Sequence, residues 1–292
     1  MMSEEKKKLL VSFSGGRTSA YMADRIWSEW RDTYDIVVVF ANTGKEDEGT
    51  LRYVRDCGAA WGLPIVWVEA KHVNDKGRPL SAKGWKVEHR IVDFETASRK
   101  GQPFEEMISV LGIPSTNAPF CSDQLKRKSI ESYLNSIGWT SGTFYKALGI
   151  RCDEIDRISP NAKAKKIIYP LVSTWPTVKS MVMDWAKKQP HDLKLSHPDL
   201  GNCDACWKKD MKRLIRIARD TPDRLQWWAG MTEKYGHLDP RDSDLNPPFN
   251  FYRGNLSVAE IVKAAQNMEM QLELFARAEK LDGCSESCEV NW

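Results

Sequence analysis

Near the start of the chain, Ser14-Gly15-Gly16-Arg17-Thr18-Ser19 has the composition of an anion-binding turn. Glycines let a phosphate approach the backbone and tolerate positive φ. A helix starting there would add unpaired N–H groups and the positive end of its dipole. Hydroxyls and a guanidinium add further donors. The alternative is a plain strand-to-helix turn capped by Ser and Thr. Two later segments carry charge. Lys126, Arg127 and Lys128 cluster at a helix start, and Arg151 and Arg157 flank Asp153, Glu154 and Asp156. Arginine grips phosphate or sulfate bidentately, and the carboxylates would orient the arginines or hold Mg2+. The competing readings are a solvated helix face and a surface salt-bridge network.

The seven cysteines are the third resource. Cys203-x-x-Cys206 has metal-ligand spacing, Cys121 precedes it, and Cys284 and Cys288 sit in the last residues. An odd number points to thiols, ligands or catalytic groups rather than disulfides. Cys57 reads as core, and Cys152 falls inside the arginine motif. The histidines (72, 89, 191, 197 and 237) are scattered, and no hydrolase triad or zinc-protease motif occurs.

These groups need a scaffold, and hydrophobic periodicity supplies one. Residues 8–13 read as a buried strand, 18–30 as an amphipathic helix, 35–40 as a central parallel strand, 50–61 as a helix and 63–68 as a third strand. This order predicts an α/β doubly wound, mainly parallel sheet. Residues 70–103 are polar, basic and punctuated by Gly and Pro, and read as an insertion or a mobile loop near the site with at most a helix in its middle. Helices are expected near 104–111 and 123–137, strands at 143–150 and 167–171, and a helix at 177–188. Beyond residue 190 the chain turns rich in Cys, Trp and Lys, with helices near 208–220, 223–235 and 257–281. Two units follow: an α/β domain over 1–190 and a helical, cysteine-containing C-terminal extension over 191–292.

Hydrophobic residues at 41% allow a large core in 292 residues, and a net charge of +3 does not by itself imply nucleic acid. Twelve tryptophans are present. Trp27, Trp30, Trp207, Trp227 and Trp228 lie in charged surroundings, either packing amphipathic helices or stacking on a ligand. The charged N-terminus lacks a signal-peptide core, and no stretch matches a membrane helix. A cytoplasmic protein without a membrane partner is the expectation, with a homo-oligomer left open.

The glycine loop is neither a Walker loop nor a dinucleotide fingerprint. It resembles the SGGxDS pyrophosphate loop of the adenine-nucleotide α-hydrolase superfamily, with Thr18 at the usual acidic position. Further segments resemble the phosphoadenosine phosphosulfate reductase family: VFANTGKEDEGTL at 39–51, FCSDQLKRKSI at 120–130, LGIRCDEIDR at 148–157 and YPLVSTW at 169–175. They keep the family's order across residues 8–210.

The resemblance implies ATP or an adenylyl sulfate as substrate. Residues 14–19 would hold phosphates, and residues 40–44, including Asn42, Thr43 and Gly44, would line the adenosine pocket. Gly149, Arg151, Lys126 and Arg157 would hold the sulfate or pyrophosphate end. In the family's iron–sulfur branch a Cys-Cys pair and a Cys-x-x-Cys bind a [4Fe-4S] cluster. Here the first pair is reduced to Phe120-Cys121. Three arrangements remain: Cys284 or Cys288 completes the set with Cys121, Cys203 and Cys206; the cluster keeps an open iron; or the ion is zinc. A tail cysteine, Cys284 or Cys288, is the reductase nucleophile by the same analogy, with a thioredoxin-like reductant as partner. Rival readings are an ATP pyrophosphatase-type sulfurtransferase, using the basic stretch 71–90 and the Trp-rich helices on nucleic acid, and a non-catalytic nucleotide-binding module.

Overall fold

The computed structural model describes residues 6–74, 85–240, 246–267 and 270–274. Six strands form one sheet: β1 (Lys7–Ser12), β2 (Tyr34–Asn42), β3 (Ile65–Asn74), β4 (Trp85–Val92), β5 (Tyr145–Ala147) and β6 (Ile167–Ile168). Their order is β4-β3-β2-β1-β5-β6, and only β4 runs antiparallel to its neighbour. The chain steps from β1 outward through β2 to β3, then returns to the other side of β1 at β5. The strand order therefore reverses between β1 and β5.

Side chains alternate across the sheet, as the two-residue strand period requires. Leu9, Val11, Phe13, Val38 and Phe40 share one hydrophobic cluster with residues of α1 (Arg17–Trp30) and α2 (Glu48–Trp61). Leu10, Val39, Ala41 and Val68 face the other way, onto Ile130 and Leu134 of α4 (Lys128–Ser136). The helices α3 (Gln102–Leu111), α5 (Pro170–Ser173) and α6 (Lys179–Ala186) complete the α/β part. A wide π-type turn over Asp123–Arg127 leads into α4. The C-terminal helices α7 (Met211–Asp220), α8 (Asp223–Tyr235) and α9 (Val258–Gln266) close a third cluster, in which Phe104 stacks edge-on against Trp227 and Trp228. The fold is α/β with a mainly parallel, doubly wound sheet and a helical extension.

Several expectations change. The stretch 70–103 is not a loop around a helix. β3 continues to Asn74, and β4 pairs with it from Trp67↔Val92 to Asn74↔Trp85. β4 was masked in the sequence by its charges: Lys86, Glu88 and Arg90 alternate with Val87, His89 and Ile91, a pattern that suits an edge strand protected from further pairing. Residues 75–84 of that stretch lie outside the described residues. The strand expected at 167–171 stops at Ile168, because Pro170 occupies the first turn of α5, where a missing N–H costs nothing. Trp207 and Trp228 are buried (5% and 0% exposed), which removes them as surface stacking platforms. The expected helix at 257–281 is seen as α9 and helical residues 270–274; its remainder falls outside the described residues.

Candidate functional site

Parallel strands deliver their C-terminal ends, and the loops that follow, to one edge of the sheet. At the reversal between β1 and β5 those loops are 13–16 and 148–151, and a crevice at such a point is where open α/β sheets bind ligands. Gly15 has φ +78°, and a Cβ there would sit 2.6 Å from Thr50 Cγ2. Only glycine meets both demands. Gly16 is the N-cap of α1, and no side chain caps the helix, so its first N–H groups are left for water or a ligand. Ser19 is buried, accepts the Ser14 N–H at 3.2 Å, and its Oγ lies 3.0 Å from Ser14 Oγ. That network stiffens the turn from within.

The second loop reaches the first directly. Arg151 Nη1 donates to Thr18 Oγ1 at 2.8 Å. Gly149 packs so close to α1 that an added Cβ would meet Ser19 Cα at 3.4 Å. Two motifs more than a hundred residues apart in sequence are thus joined, and the hydroxyl of Thr18 is what Arg151 grasps.

The arginines of the crevice are engaged by carboxylates. Arg17 forms a two-pronged pair with Asp192 (2.7 and 2.8 Å) and also donates to the Leu193 carbonyl. Hydrogen bonding to Arg17 holds the Asp192 carboxyl below its usual range. Arg151 bonds Asp153 at 2.9 Å and pairs with Glu154, which also takes Arg157 at 2.7 Å. The Arg151 bond likewise lowers the Asp153 pKa. Lys126 is buried in the wide turn before α4, and Arg127 is held by Asp123 and Glu131. Within the basic cluster expected at 126–128, Arg127 is therefore paired inside the helix start, and Lys128 Nζ donates to Gln124 at 3.3 Å.

The loop after β2 is built differently from expectation. Asn42 and Thr43 are 0% and 1% exposed. Asn42 Nδ2 donates to Glu69 and to the Ser98 carbonyl, and its Oδ1 accepts the Gly44 N–H. Thr43 bonds Glu46 through N–H and hydroxyl, and its Oγ1 lies 3.3 Å from Cys203 Sγ. Gly44 has φ +79° and is pressed against Ser98 and Gly101. Burial raises the Glu69 pKa, opposed by its bonds from Ser98 and Asn42. The side chains that were to line an adenosine pocket are spent on protein partners.

The C-terminal region clamps this loop. Lys45 and Asp204 form a buried ion pair at 3.1 Å, with Lys45 Nζ over the Trp227 ring and Trp228 Nε1 donating to Asp204. Asp47 caps α2 and accepts from Ser196 and Arg224.

No family model matches the chain. It is 31% identical over 286 residues to the uncharacterized nin region protein ORF290 of Escherichia phage lambda, across 96% of this chain and 94% of the phage protein. The chain belongs to that protein's family. It is also 24% identical over 238 residues to the uncharacterized protein MJ0066 of Methanocaldococcus jannaschii, a match spanning 79% of this chain but 42% of the archaeal one.

Cys121, Cys203 and Cys206 are all buried thiols of the cluster beneath the C-terminal helices. Among the described residues no group of three or more His, Cys, Asp or Glu side chains is arranged to hold a metal ion. Cys284 and Cys288 lie outside the described residues. Cys121, Cys203 and Cys206 alone thus make no metal site among the described residues. Among the described residues no helix is long and apolar enough to cross a membrane.

Sequence reasoning missed Asp192, Glu69, Ser98 and Asp204. Each acts on a partner distant in the chain, Asp192 on Arg17 across 175 residues, and no local pattern announces such pairs.

Proposed function

We propose that this chain is an adenine-nucleotide-dependent enzyme of sulfur metabolism, akin to the phosphoadenosine phosphosulfate reductases, acting in the crevice between β1 and β5. The observation that carries this reading is the junction of Arg151 with Thr18, beside the uncapped N-terminus of α1. Phosphate oxygens would meet the first N–H groups of α1 and the Ser14 hydroxyl, with Gly15 and Gly16 admitting them at close range. Arg151 would add a charge-assisted bond from the opposite wall. In the reductase reaction a thiolate attacks the sulfate sulfur, the adenosine phosphate leaves, and an external dithiol releases sulfite as it becomes a disulfide.

The test is calorimetric titration with ATP and with adenylyl sulfates, followed by product analysis. Arg151→Ala is expected to weaken binding about tenfold or more, the value of a charge-assisted hydrogen bond. Sulfite release with a dithiol supports the reductase reading. Pyrophosphate release from ATP would instead favour a sulfurtransferase. No adenine-nucleotide binding by the intact chain refutes both.

A further inference from the structure

The opposite edge of the sheet, where the parallel strands begin, carries a second constellation. β1 has six residues, so this edge lies about 20 Å from the crevice. A groove of about 420 Å3 opens here between the start of β1, the end of α1 and the start of β2. Its walls include Lys6, Lys8 and Arg31, and its aromatic lining is Trp27 and Tyr34, the latter 5.4 Å from the Trp30 ring. Lys6 and Arg31 are exposed, and Lys6 Nζ donates to the Arg31 carbonyl. Asp35 is the groove's one carboxylate.

The positive charge continues beyond the groove. Lys8 Nζ lies over the Trp139 ring at 5.7 Å, Trp139 stacks on Phe144 at 5.8 Å, and Lys146 Nζ lies over Phe144 at 5.4 Å. Lys146 Nζ then donates to the Lys165 carbonyl, and Lys166 lies over Tyr145. Trp139 and Phe144 are buried on the side of the sheet that packs on α4 and carry the Lys8 and Lys146 ammonium groups there, whereas Lys166 lies over Tyr145 on the other side. Parallel pairing of β1 with β5 places Lys8 and Lys146 on neighbouring strands. The chain's net charge is only +3, so this edge is a local concentration of positive charge rather than a sample of the average surface.

We propose that this edge binds single-stranded nucleic acid, with one unpaired base in the groove at Trp27 and Tyr34 and successive phosphates at Lys6, Lys8 and Lys146. Ring faces beside a tracked line of cations are what sequence-tolerant single-strand binding requires. A mononucleotide would use the groove but leave the row idle, and a duplex would use the row but offer no free base to the groove. The site is independent of the nucleotide crevice and stands whether or not that reading holds.

The test is fluorescence anisotropy of the intact chain with a fluorescein-labelled, mixed-sequence single strand across a salt series. Affinity should fall steeply with salt, with a log–log slope of about 0.7 per phosphate contacted. The Lys6→Glu/Lys8→Glu/Arg31→Glu variant should bind at least about tenfold more weakly and with a shallower slope. Tyr34→Leu should weaken binding about fivefold through lost stacking. Lys188→Glu, in the turn after α6, should change nothing. Thermal melting reports folding, and Lys6→Gln/Arg31→Gln is a milder pair should the triple variant melt early; it should weaken binding in the same direction. No binding at low salt overturns the proposal. So does charge reversal without effect, equal affinity for a duplex of the same sequence, or full displacement by adenosine monophosphate at matched phosphate concentration.

Discussion

Replacing Lys45 by Met removes the counter-charge of Asp204 and nothing else of similar size. The pair is 3.1 Å apart, with side chains 9% and 3% exposed. Asp204 would keep the N–H bonds from Trp228 and Ala205, both 2.8 Å, but as an uncompensated buried carboxylate. Breaking a buried pair from one side costs about 3–5 kcal/mol. Asp204→Asn should cost less, about 2–3 kcal/mol, because its amide oxygen still accepts both N–H groups and Lys45 keeps the Trp227 face at 4.8 Å. The double variant should cost less than the sum by about 1–3 kcal/mol, the coupling expected of contacting charges. Urea unfolding of the four proteins at neutral pH gives these values, with the m-value as a check that the same surface unfolds. A cost below about 1 kcal/mol for Lys45→Met, as for a surface pair, would refute the claim that the C-terminal region clamps the loop after β2. Simple additivity would refute it equally.

Gly15→Ala should destabilise by about 2–3 kcal/mol, from its φ of +78° and a Cβ 2.6 Å from Thr50 Cγ2. Gly15→Ala/Thr50→Ser should recover part of that loss in thermal melts, and no recovery would mean that the clash is not the cause. His72 is buried beside Trp85 with neither ring nitrogen hydrogen-bonded, and burial, helped by Lys128 and Arg90, pulls its pKa from 6.5 down to about 4. A depressed histidine binds its proton more weakly folded than unfolded. Its contribution is therefore complete above pH 6.5 and is lost as pH falls towards 4, by about 3 kcal/mol in total. His72→Leu should flatten the pH dependence of unfolding across that window, and an unchanged slope would sink the assignment.

What the sequence disclosed depended on range. The alternation of Leu9, Val11 and Phe13 with Leu10, and the run over 35–40, are local patterns that specify β1 and β2 whatever surrounds them. Gly15 and Gly16 announced a tight turn for the same reason. β4 was illegible because charges occupy every second position, at Lys86, Glu88 and Arg90, and only pairing with β3 makes them a strand. Lys45, Glu46 and Asp47 carry charge yet are 8%, 7% and 0% exposed, because the segment around Asp204 and α8 covers them. Burial of charge by a distant segment leaves no periodicity to read. Within the basic cluster at 126–128 the partners are local instead, since Asp123 and Glu131 at helical spacing pair with Arg127.

The crevice poses an electrostatic question that its residues answer only in part. Arg17, Arg151 and Arg157 face Asp192, Asp153 and Glu154, so the loop offers a phosphate ligand little uncompensated positive charge. Either the α1 N–H groups bear most of the binding, or an arginine exchanges its carboxylate for the ligand. Arg17 is the better candidate for exchange, because its pair with Asp192 is partly exposed, at 28% and 39%, and such pairs hold only about 1 kcal/mol. Asp192→Asn weakens that grip while keeping one acceptor. If Arg17 exchanges partners, the variant should lose about 1 kcal/mol of stability and bind ATP up to about tenfold more tightly, because the competing carboxylate is gone. If affinity is unchanged while stability falls, Arg17 is a brace between α1 and the segment at 192–193, and phosphate recognition rests on the helix N-terminus and Arg151. Isothermal titration of wild type, Asp192→Asn and Arg17→Ala separates the two: exchange requires that Arg17→Ala weaken binding as Asp192→Asn tightens it.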